Sequence, residues 1–197
     1  MRVKRFRAWR PAGEYVEEVA SVPYDVVDRE QAIALAEGKP NSFLHVVRAE
    51  IDLPEVEDLY ADIVYKTATA NLNRLMNEGI LIREEEGALY LYSQRMEDHI
   101  QYGIVAGCHV EDYEKGDIKI HEKTRRAKEE DRIRYVDSQN ANTGPVFLAY
   151  RDSVVINEQV EATKRTSPLY HFTADDGIEH TVWKFADASP IEAAFSA

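Results

Sequence analysis

Residues 80–116 read ILIREEEGALYLYSQRMEDHIQYGIVAGCHVEDYEKG, and they predict a succession of short β-strands. Strand patterns cover residues 80–82, 89–94 and 101–110, with polar turns near residues 84–87 and 97–99. Short sequential strands with brief connections pair as antiparallel hairpins, because a parallel pair needs a longer crossover. The stretch therefore predicts an antiparallel sheet.

Further strands are expected on both sides of this stretch. Residues 3–10 predict an edge strand, with either a solvated basic face or a face that contacts anions. Asp176-Gly177 is a strong turn signal and predicts a hairpin of residues 168–173 and 180–185. Three apolar runs also have strand character: NSFLHVV at 41–47, PVFLAY at 145–150 and SVVI at 153–156.

Three helices have sequence signals at their ends. Asp28 and Gln31 have the spacing of a capping box, and Gly38 follows as a stop signal, so a helix is expected over residues 29–37. A longer helix over 58–78 is predicted by apolar residues at approximately three- and four-residue spacing: Leu59, Ile63, Ala68, Leu72, Leu75 and Met76. A Ser-Pro start at residue 189 predicts a third. The expected fold is α+β: a mostly antiparallel sheet with two or three packed helices and a charged helix at a cleft edge.

The helix start at residue 189 comes close to the end of the 197-residue sequence. We therefore expect residues 1–188 to form an α+β domain that is the N-terminal part of a longer protein. Residues 189–197 would begin a helix that leads into a further region.

Positive charge is concentrated in two segments of an acidic chain. Residues 119–134 hold seven basic and four acidic side chains, and residues 1–10 hold five basic and no acidic ones. The rest of the chain has 12 basic against 32 acidic residues, a balance of −20. Such asymmetry concentrates an anion locally, whereas the acidic remainder repels polyanions. The expected ligand is a phosphorylated small molecule or nucleotide, and not nucleic acid.

Composition excludes several other classes of protein. No apolar run is long enough to span a membrane, and the start of the sequence lacks an apolar leader. Cys108 is the one cysteine of the sequence, which suits a reducing compartment, so a cytoplasmic location is expected. Its apolar neighbours predict a buried structural thiol. A helical zinc-hydrolase site is rejected because position 125, where a second histidine would stand, is Arg125.

The basic segment contains the residues expected to act on a ligand. If Thr124 caps a helix, Arg125, Lys128, Arg132 and Tyr135 share one face. A helix start with adjacent cations is suited to phosphate, and Glu122 beside them is suited to act as a general base. The alternative is a solvated helix with Glu129–Arg132 and Glu130–Arg134 pairs. Our predicted phosphate-binding residues are Lys123, Thr124, Arg125, Lys128 and Arg132.

The remaining site residues are predicted from their positions. Glu122 and His121 are the candidate catalytic residues. Tyr24 and Asp25 lie in the turn before the first helix, and Arg48 ends an apolar run without an obvious local partner, so these three are candidates for the substrate rim. No side chain is assigned to a metal. Mg²⁺ is expected to arrive with the nucleotide.

Four stretches of the chain resemble the bacterial and archaeal family known as domain of unknown function 1015. They are RVKRFRAWRP with VPYDVV, NSFLHVVRAEIDLP, IHEKTRRAKEEDR and TGPVFLAY, in the family's order. The resemblance implies a protein of about twice this length, with a downstream Asp-Gly-His-His-Arg motif similar to one in the ParB and sulfiredoxin superfamily. That motif is absent from these 197 residues.

The same resemblance implies a free-serine-kinase-like activity, since that superfamily includes such kinases. The expected function is thus a small-molecule phosphotransferase, with only part of its site in this sequence. In that function Glu122 would deprotonate the acceptor hydroxyl. The competing expectation is a non-catalytic ligand-sensing or protein-interaction module whose basic helix binds an acidic surface.

Overall fold

The computed structural model describes residues 1–120 and 123–196. Within them the strands, in chain order, are β1 (Val3–Lys4), β2 (Trp9–Pro11), β3 (Leu81–Arg83), β4 (Tyr90–Met96), β5 (His99–Val105), β6 (Gly107–Cys108), β7 (Tyr170–Thr173) and β8 (Glu179–Lys184). The α-helices are α1 (Val16–Val19), α2 (Arg29–Ala36), α3 (Leu44–Val47), α4 (Asp62–Asn77), α5 (Val110–Glu114), α6 (Arg126–Gln139), α7 (Val154–Lys164) and α8 (Ser189–Ser196). Short 3-10 helices cover Gly13–Tyr15 and Ala49–Asp52.

The chain divides into two compact units. The sheet unit comprises Met1–Gly13, Arg83–His121 and Ala149–Ala197, and the helical unit comprises Glu14–Ile82 and Glu122–Leu148. Helices and antiparallel strands together confirm the α+β fold class, although the described residues form more helices than the sequence predicts. None of the helices in the described ranges has the length and apolar character needed to cross a membrane.

A four-stranded antiparallel sheet in the order β5-β4-β8-β7 forms the centre of the sheet unit. The β4–β5 connection turns at Glu97, whose φ of 54° is left-handed. Gly177 turns the β7–β8 hairpin with φ of 82°, a conformation that glycine adopts at little cost. Both predicted hairpins are therefore confirmed.

One face of this sheet packs against helices α7 and α8. Leu91 of β4 lies opposite Trp183 of β8, and both pack with Ile191 of α8 and Val160 of α7. Alternate strand residues face the same side, so this core takes every second residue of β4 and β8. The burial of these apolar side chains fixes the register of the two central strands.

The basic N-terminal segment belongs to the sheet unit and is tied into it by ion pairs. It forms two short strands, β1 and β2, and not one. Strand β1 pairs with β6, and Phe6, between the two strands, makes an isolated bridge with Ala88. Three of its five basic side chains bind carboxylates of the same unit, Arg2 to Asp112 at 2.6 Å, Arg5 to Glu192 at 2.9 Å and Arg10 to Glu84 at 2.5 Å.

Helix α4 is the longest helix described, and it packs with α3 and α6 in the helical unit. The predicted helix is confirmed, but it starts at Asp62 because residues 58–61 form turns. The predicted apolar face is wrong at its beginning, since Leu59 and Ile63 are exposed and Val64 and Tyr65 are buried. Helix α2 has the predicted capping box, in which Asp28 Oδ1 accepts from Gln31 N at 2.9 Å.

The three predicted strands at 41–47, 145–150 and 153–156 are wrong. NSFLHVV contains helix α3, SVVI contains the start of α7, and PVFLAY has no regular secondary structure. A short apolar run has no periodicity long enough to distinguish a strand from a buried helical turn. The prediction for Cys108 is also wrong, because this residue is exposed at the end of β6.

Candidate functional site

Helix α6 carries most of the predicted phosphate-binding residues. Its N-cap is Arg125, and among the residues that the structure describes no side-chain hydrogen bond caps this helix start. The predicted cap at Thr124 is wrong: the chain turns helical one residue later, and a long guanidinium side chain offers no acceptor to those N–H groups. The free N–H groups give this end of α6 a partial positive charge.

Basic side chains surround that helix end. Lys123, Arg125 and Lys128 are exposed, and within the described residues none of the three has an ion pair. Arg126 differs, because its Nε lies 2.7 Å from Glu130 Oε1. The α6 N-terminal surface, meaning residues 123–128, therefore presents cations that are not neutralised by the part of the chain that is described.

The two ion pairs predicted for a solvated helix, Glu129–Arg132 and Glu130–Arg134, do not form. Glu130 pairs with Arg126, and Arg134 pairs with Asp62 of α4 instead of Glu130. Arg132 Nη2 lies 2.6 Å from Asp131 Oδ2 instead of binding Glu129. The buried Asp131 and Asp62 of α4 select the partners of Arg132 and Arg134, whereas Arg126–Glu130 is an exposed pair at ordinary i,i+4 spacing.

Arg132 lies between two aromatic rings. Its guanidinium carbon is 4.0 Å from the centroid of Tyr24 and 4.2 Å from that of Tyr135. Stacking on tyrosine is favourable for a guanidinium, which is only weakly hydrated. Burial raises the pKa of Tyr135 to about 12, with a further contribution from Glu50, so this phenol is neutral at physiological pH.

Arg48, in the Glu14–Ile82 part of the helical unit, contacts the backbone of Tyr24. Its Nη1 donates to the Tyr24 carbonyl oxygen at 3.2 Å, and its Nε lies 2.8 Å from Glu50 Oε1. The Glu50 side chain is buried, so Arg48 supplies the counter-charge that a buried carboxylate requires. Tyr24 thus brings Arg48 and Arg132 together in one cluster.

The structure accordingly divides the predicted residues into groups. Tyr24, Arg48 and Arg132 form the cluster just described, whereas Lys123, Thr124, Arg125 and Lys128 lie at the N-terminal end of α6. Asp25 is exposed in the turn before α2. His121 and Glu122 lie outside the described residues, so their predicted catalytic roles remain predictions. Among the described residues no three or more His, Cys, Asp or Glu side chains are grouped as they would be around a metal ion.

Sequence reasoning missed the carboxylates that neutralise the two arginines. Glu50 lies in the 3-10 helix Ala49–Asp52 and is buried. Asp131, also buried, accepts a hydrogen bond from the Tyr65 hydroxyl at 2.8 Å. The available signal was local, since each acid stands one or two positions from the arginine that it binds.

Comparison with known proteins identifies a family without assigning an activity. The model of the family described as "Protein of unknown function (DUF1015)" matches residues 3–197. Searches of curated proteins and of solved structures give no match. Since the family model covers nearly the whole sequence, the chain belongs to the DUF1015 family.

Proposed function

We propose that the α6 N-terminal surface binds the phosphate groups of a nucleotide or other phosphorylated small molecule, and that the protein is a small-molecule phosphotransferase. The observation that carries the proposal is the group of exposed cations around an uncapped helix start. Backbone N–H groups and basic side chains at a helix start are suited to phosphate oxygens. In this proposal Lys123, Arg125 and Lys128 hold the phosphate.

The aromatic cluster would support that surface. Arg132 and Arg48 each already have a carboxylate partner, so their contribution would be to hold Tyr24 and α6 in place. Tyr24 and Asp25 remain the candidates for contacts with the acceptor molecule. Glu122 would take the proton of the acceptor hydroxyl, with His121 beside it, and Mg²⁺ would be carried by the phosphates of the nucleotide. A free-serine-kinase-like reaction and a ParB-like relationship are the finer parts of this proposal.

Calorimetric titration tests the binding part. We expect ATP or ADP with Mg²⁺ to bind saturably, and an Arg125→Ala/Lys128→Ala double variant to bind at least about tenfold more weakly, since each charged hydrogen bond contributes about 1.5–3 kcal/mol. Lys115→Ala and Lys119→Ala together remove the same charge from exposed positions outside residues 123–128 and should leave the affinity within about twofold. If both double variants lose the same nucleotide affinity, the loss reflects net charge and not a site at residues 123–128. If no nucleotide binds to the unaltered chain, the proposal is wrong.

Product analysis tests the catalytic part separately. With ATP or ADP, Mg²⁺ and L-serine, ³¹P NMR should detect phosphoserine, and Glu122→Gln should abolish its formation while nucleotide still binds. If the nucleotide binds but no phosphoserine forms, the binding site is supported and the serine-kinase reaction is rejected for this chain.

One observation favours the alternative function, a protein-interaction module. Val146 and Phe147 are 82% and 79% exposed, although their segment has the composition of a buried strand. Exposed apolar residues of this kind are typical of protein-binding segments. Suppose that nucleotides do not bind and that the unaltered chain binds a protein partner. Loss of that partner in the Phe147→Asp variant would then support this alternative.

A further inference from the structure

A cavity of about 360 Å³ lies in the sheet unit between strand β5 and helix α7. Its apolar lining comes from Leu91, Ile104 and Val160, which also belong to the core packed between the sheet and the helices. This volume is in the range of sites that hold small ligands. The cavity shares no residue with the α6 N-terminal surface, because its lining residues all belong to the sheet unit.

Polar and aromatic groups complete the lining. Tyr102 of β5 and Tyr150 contribute exposed rings, and α7 contributes Asn157 and Glu161. Asn157, Val160 and Glu161 stand at three- and four-residue spacing, so one face of α7 borders the cavity. The combination of an apolar lining, two tyrosines and a carboxylate suits a ligand that is apolar at one end and positively charged at the other.

The chain's own Lys164 shows that this arrangement holds an ammonium group. Its Nζ lies 4.4 Å from the centroid of the Tyr102 ring and 2.7 Å from Glu161 Oε1. The hydrogen bond with Glu161 raises the pKa of Lys164, so the ammonium form is favoured. A tyrosine face and a carboxylate at the edge of the cavity therefore already bind one cation.

The second tyrosine has no such cation among the described residues. The Tyr150 ring packs with Phe195 in a T-shaped arrangement, with 5.1 Å between centroids, and no described lysine or arginine lies over the Tyr150 ring. Asp152 lies nearby and accepts from Asn157 Nδ2 at 2.8 Å. This edge of the cavity thus has two carboxylates, Asp152 and Glu161, and one ammonium group, that of Lys164. The three groups together carry a net negative charge.

We propose that this cavity binds a small primary amine with a compact apolar body of about the size of a phenyl ring. The apolar body would contact Ile104 and Val160, which are only partly buried. The ammonium group would lie over Tyr150 and bind Glu161, in competition with Lys164. This site does not depend on the proposed phosphotransferase function, which concerns anions bound at α6.

Calorimetric titration of the full chain with 2-phenylethylamine tests the proposal, with 2-phenylethanol as the neutral analogue and phenylacetate as the anionic one. We expect saturable binding of the amine and at least about tenfold weaker binding of the alcohol, because cation–π and ion-pair contacts need the charge. Phenylacetate should bind more weakly still. Equal binding of amine and alcohol, or no saturable binding of the amine, would overturn the proposal.

Variants then locate the site. Glu161→Gln should weaken amine binding about tenfold, whereas Lys164→Met should strengthen it by a few fold because a competing ammonium is removed. Lys115→Met breaks a comparable exposed pair, with Glu111, and should change nothing. Far-UV circular dichroism checks each fold, and Tyr150→Leu supplies the same test if Glu161→Gln does not fold. Unchanged affinity in folded Glu161→Gln and Tyr150→Leu would reject this cavity as the site.

Discussion

Asp131 is a buried carboxylate that accepts hydrogen bonds from two residues, and it connects helix α4 with Arg132 of α6. It accepts from the Tyr65 hydroxyl at 2.8 Å and from Arg132 Nη2 at 2.6 Å. Burial, with a further contribution from Asp131, raises the pKa of Tyr65, so this phenol remains a donor. Arg132 therefore neutralises a charge inside the helical unit, which explains why a residue predicted to hold phosphate is not free to do so alone.

Removal of one donor should measure this connection. Tyr65→Phe leaves Asp131 with Arg132 only, and we expect a loss of about 1–2 kcal/mol in the free energy of unfolding by urea. Tyr60→Phe, at an exposed tyrosine of the same unit, should change the free energy by less than about 0.5 kcal/mol. Equal stabilities of Tyr65→Phe and the unaltered chain would contradict the assigned role.

His45 makes a second residue-scale prediction, this time on pH. Its Nδ1 lies 2.7 Å from Asp52 Oδ1 and its Nε2 lies 3.2 Å from the Lys39 carbonyl oxygen, so both nitrogens face acceptors. The hydrogen bond with Asp52 raises the pKa of His45, although burial opposes it. His45 is thus satisfied by groups of the protein and lies in helix α3.

A raised pKa means that the folded state binds the His45 proton more tightly than the unfolded state. The resulting stabilisation is fully present below the unfolded pKa of about 6.5 and is lost as pH rises through the folded pKa. Burial lowers the pKa of His180, whose contribution therefore has the opposite sign, so the difference between variants is the quantity to measure. We expect the Tm of the unaltered chain, relative to that of His45→Gln, to fall between pH 6 and pH 8. His99→Gln, at the exposed first residue of β5, is the control for removing one imidazole.

At the scale of elements, the start of α2 shows which predictions are dependable. Asp28 and Gln31 form the predicted reciprocal hydrogen bonds, because a capping box involves only four neighbouring residues. We expect Asp28→Ala to lower the free energy of unfolding by about 1 kcal/mol. Asp25→Ala, in the exposed turn just before, is the matched control and should be nearly neutral. A similar loss in both variants would argue against the cap.

The end of α6 gives a second prediction at this scale. Asn140 is the C-cap, with φ of 48° and ψ of 38°, a left-handed conformation that Asn and Gly tolerate better than other residues. Asn140→Gly should be neutral or slightly stabilising in thermal unfolding, whereas Asn140→Val should cost about 1–2 kcal/mol. Equal stability of the two variants would show that the helix end relaxes to another conformation.

Other elements could not be predicted because their structure depends on distant contacts. LHVV in α3 is β-branched in half of its residues, yet it forms a helical turn that packs on α4. Burial against a helix outweighs intrinsic β-propensity here. By contrast, the β7–β8 hairpin was predicted because Asp176-Gly177 supplies a local turn signal.

At the scale of the whole molecule, the distribution of charge was only partly informative. The sequence shows two basic segments in an acidic chain, but not that Arg2, Arg5 and Arg10 bind carboxylates far along the sequence. Long-range pairing of this kind leaves no periodic pattern. The interleaving of two units was unpredicted for the same reason, since each unit is built from separated pieces of chain. Within the described residues, Lys123, Arg125 and Lys128 of the α6 segment remain without a carboxylate partner, and so do Lys4 and Arg7 of the N-terminal segment.

The ion pairs of the N-terminal segment predict sensitivity to acid. Hydrogen bonds from Arg2 lower the pKa of Asp112 to about 2, and hydrogen bonds from Arg5 lower that of Glu192. Such carboxylates stabilise the folded state above their unfolded pKa of about 4, and the contribution is lost as pH falls through the folded values. Tm should therefore decline from pH 5 to pH 3, less steeply in Asp112→Asn than in the unaltered chain. The Asp98→Asn variant, changed in an exposed turn, is the control for removing one carboxylate.

Cys108 has a practical consequence for experiments on this protein. It is the single thiol of the sequence and is exposed at the end of β6, opposite Val3 of β1. Partial burial raises the pKa of its sulfur, with a further contribution from Asp112, so alkylation should be slow at neutral pH and faster in mildly alkaline buffer. One fluorophore can thus be attached at one known position without engineering, and its emission would report when the β1–β6 ladder opens.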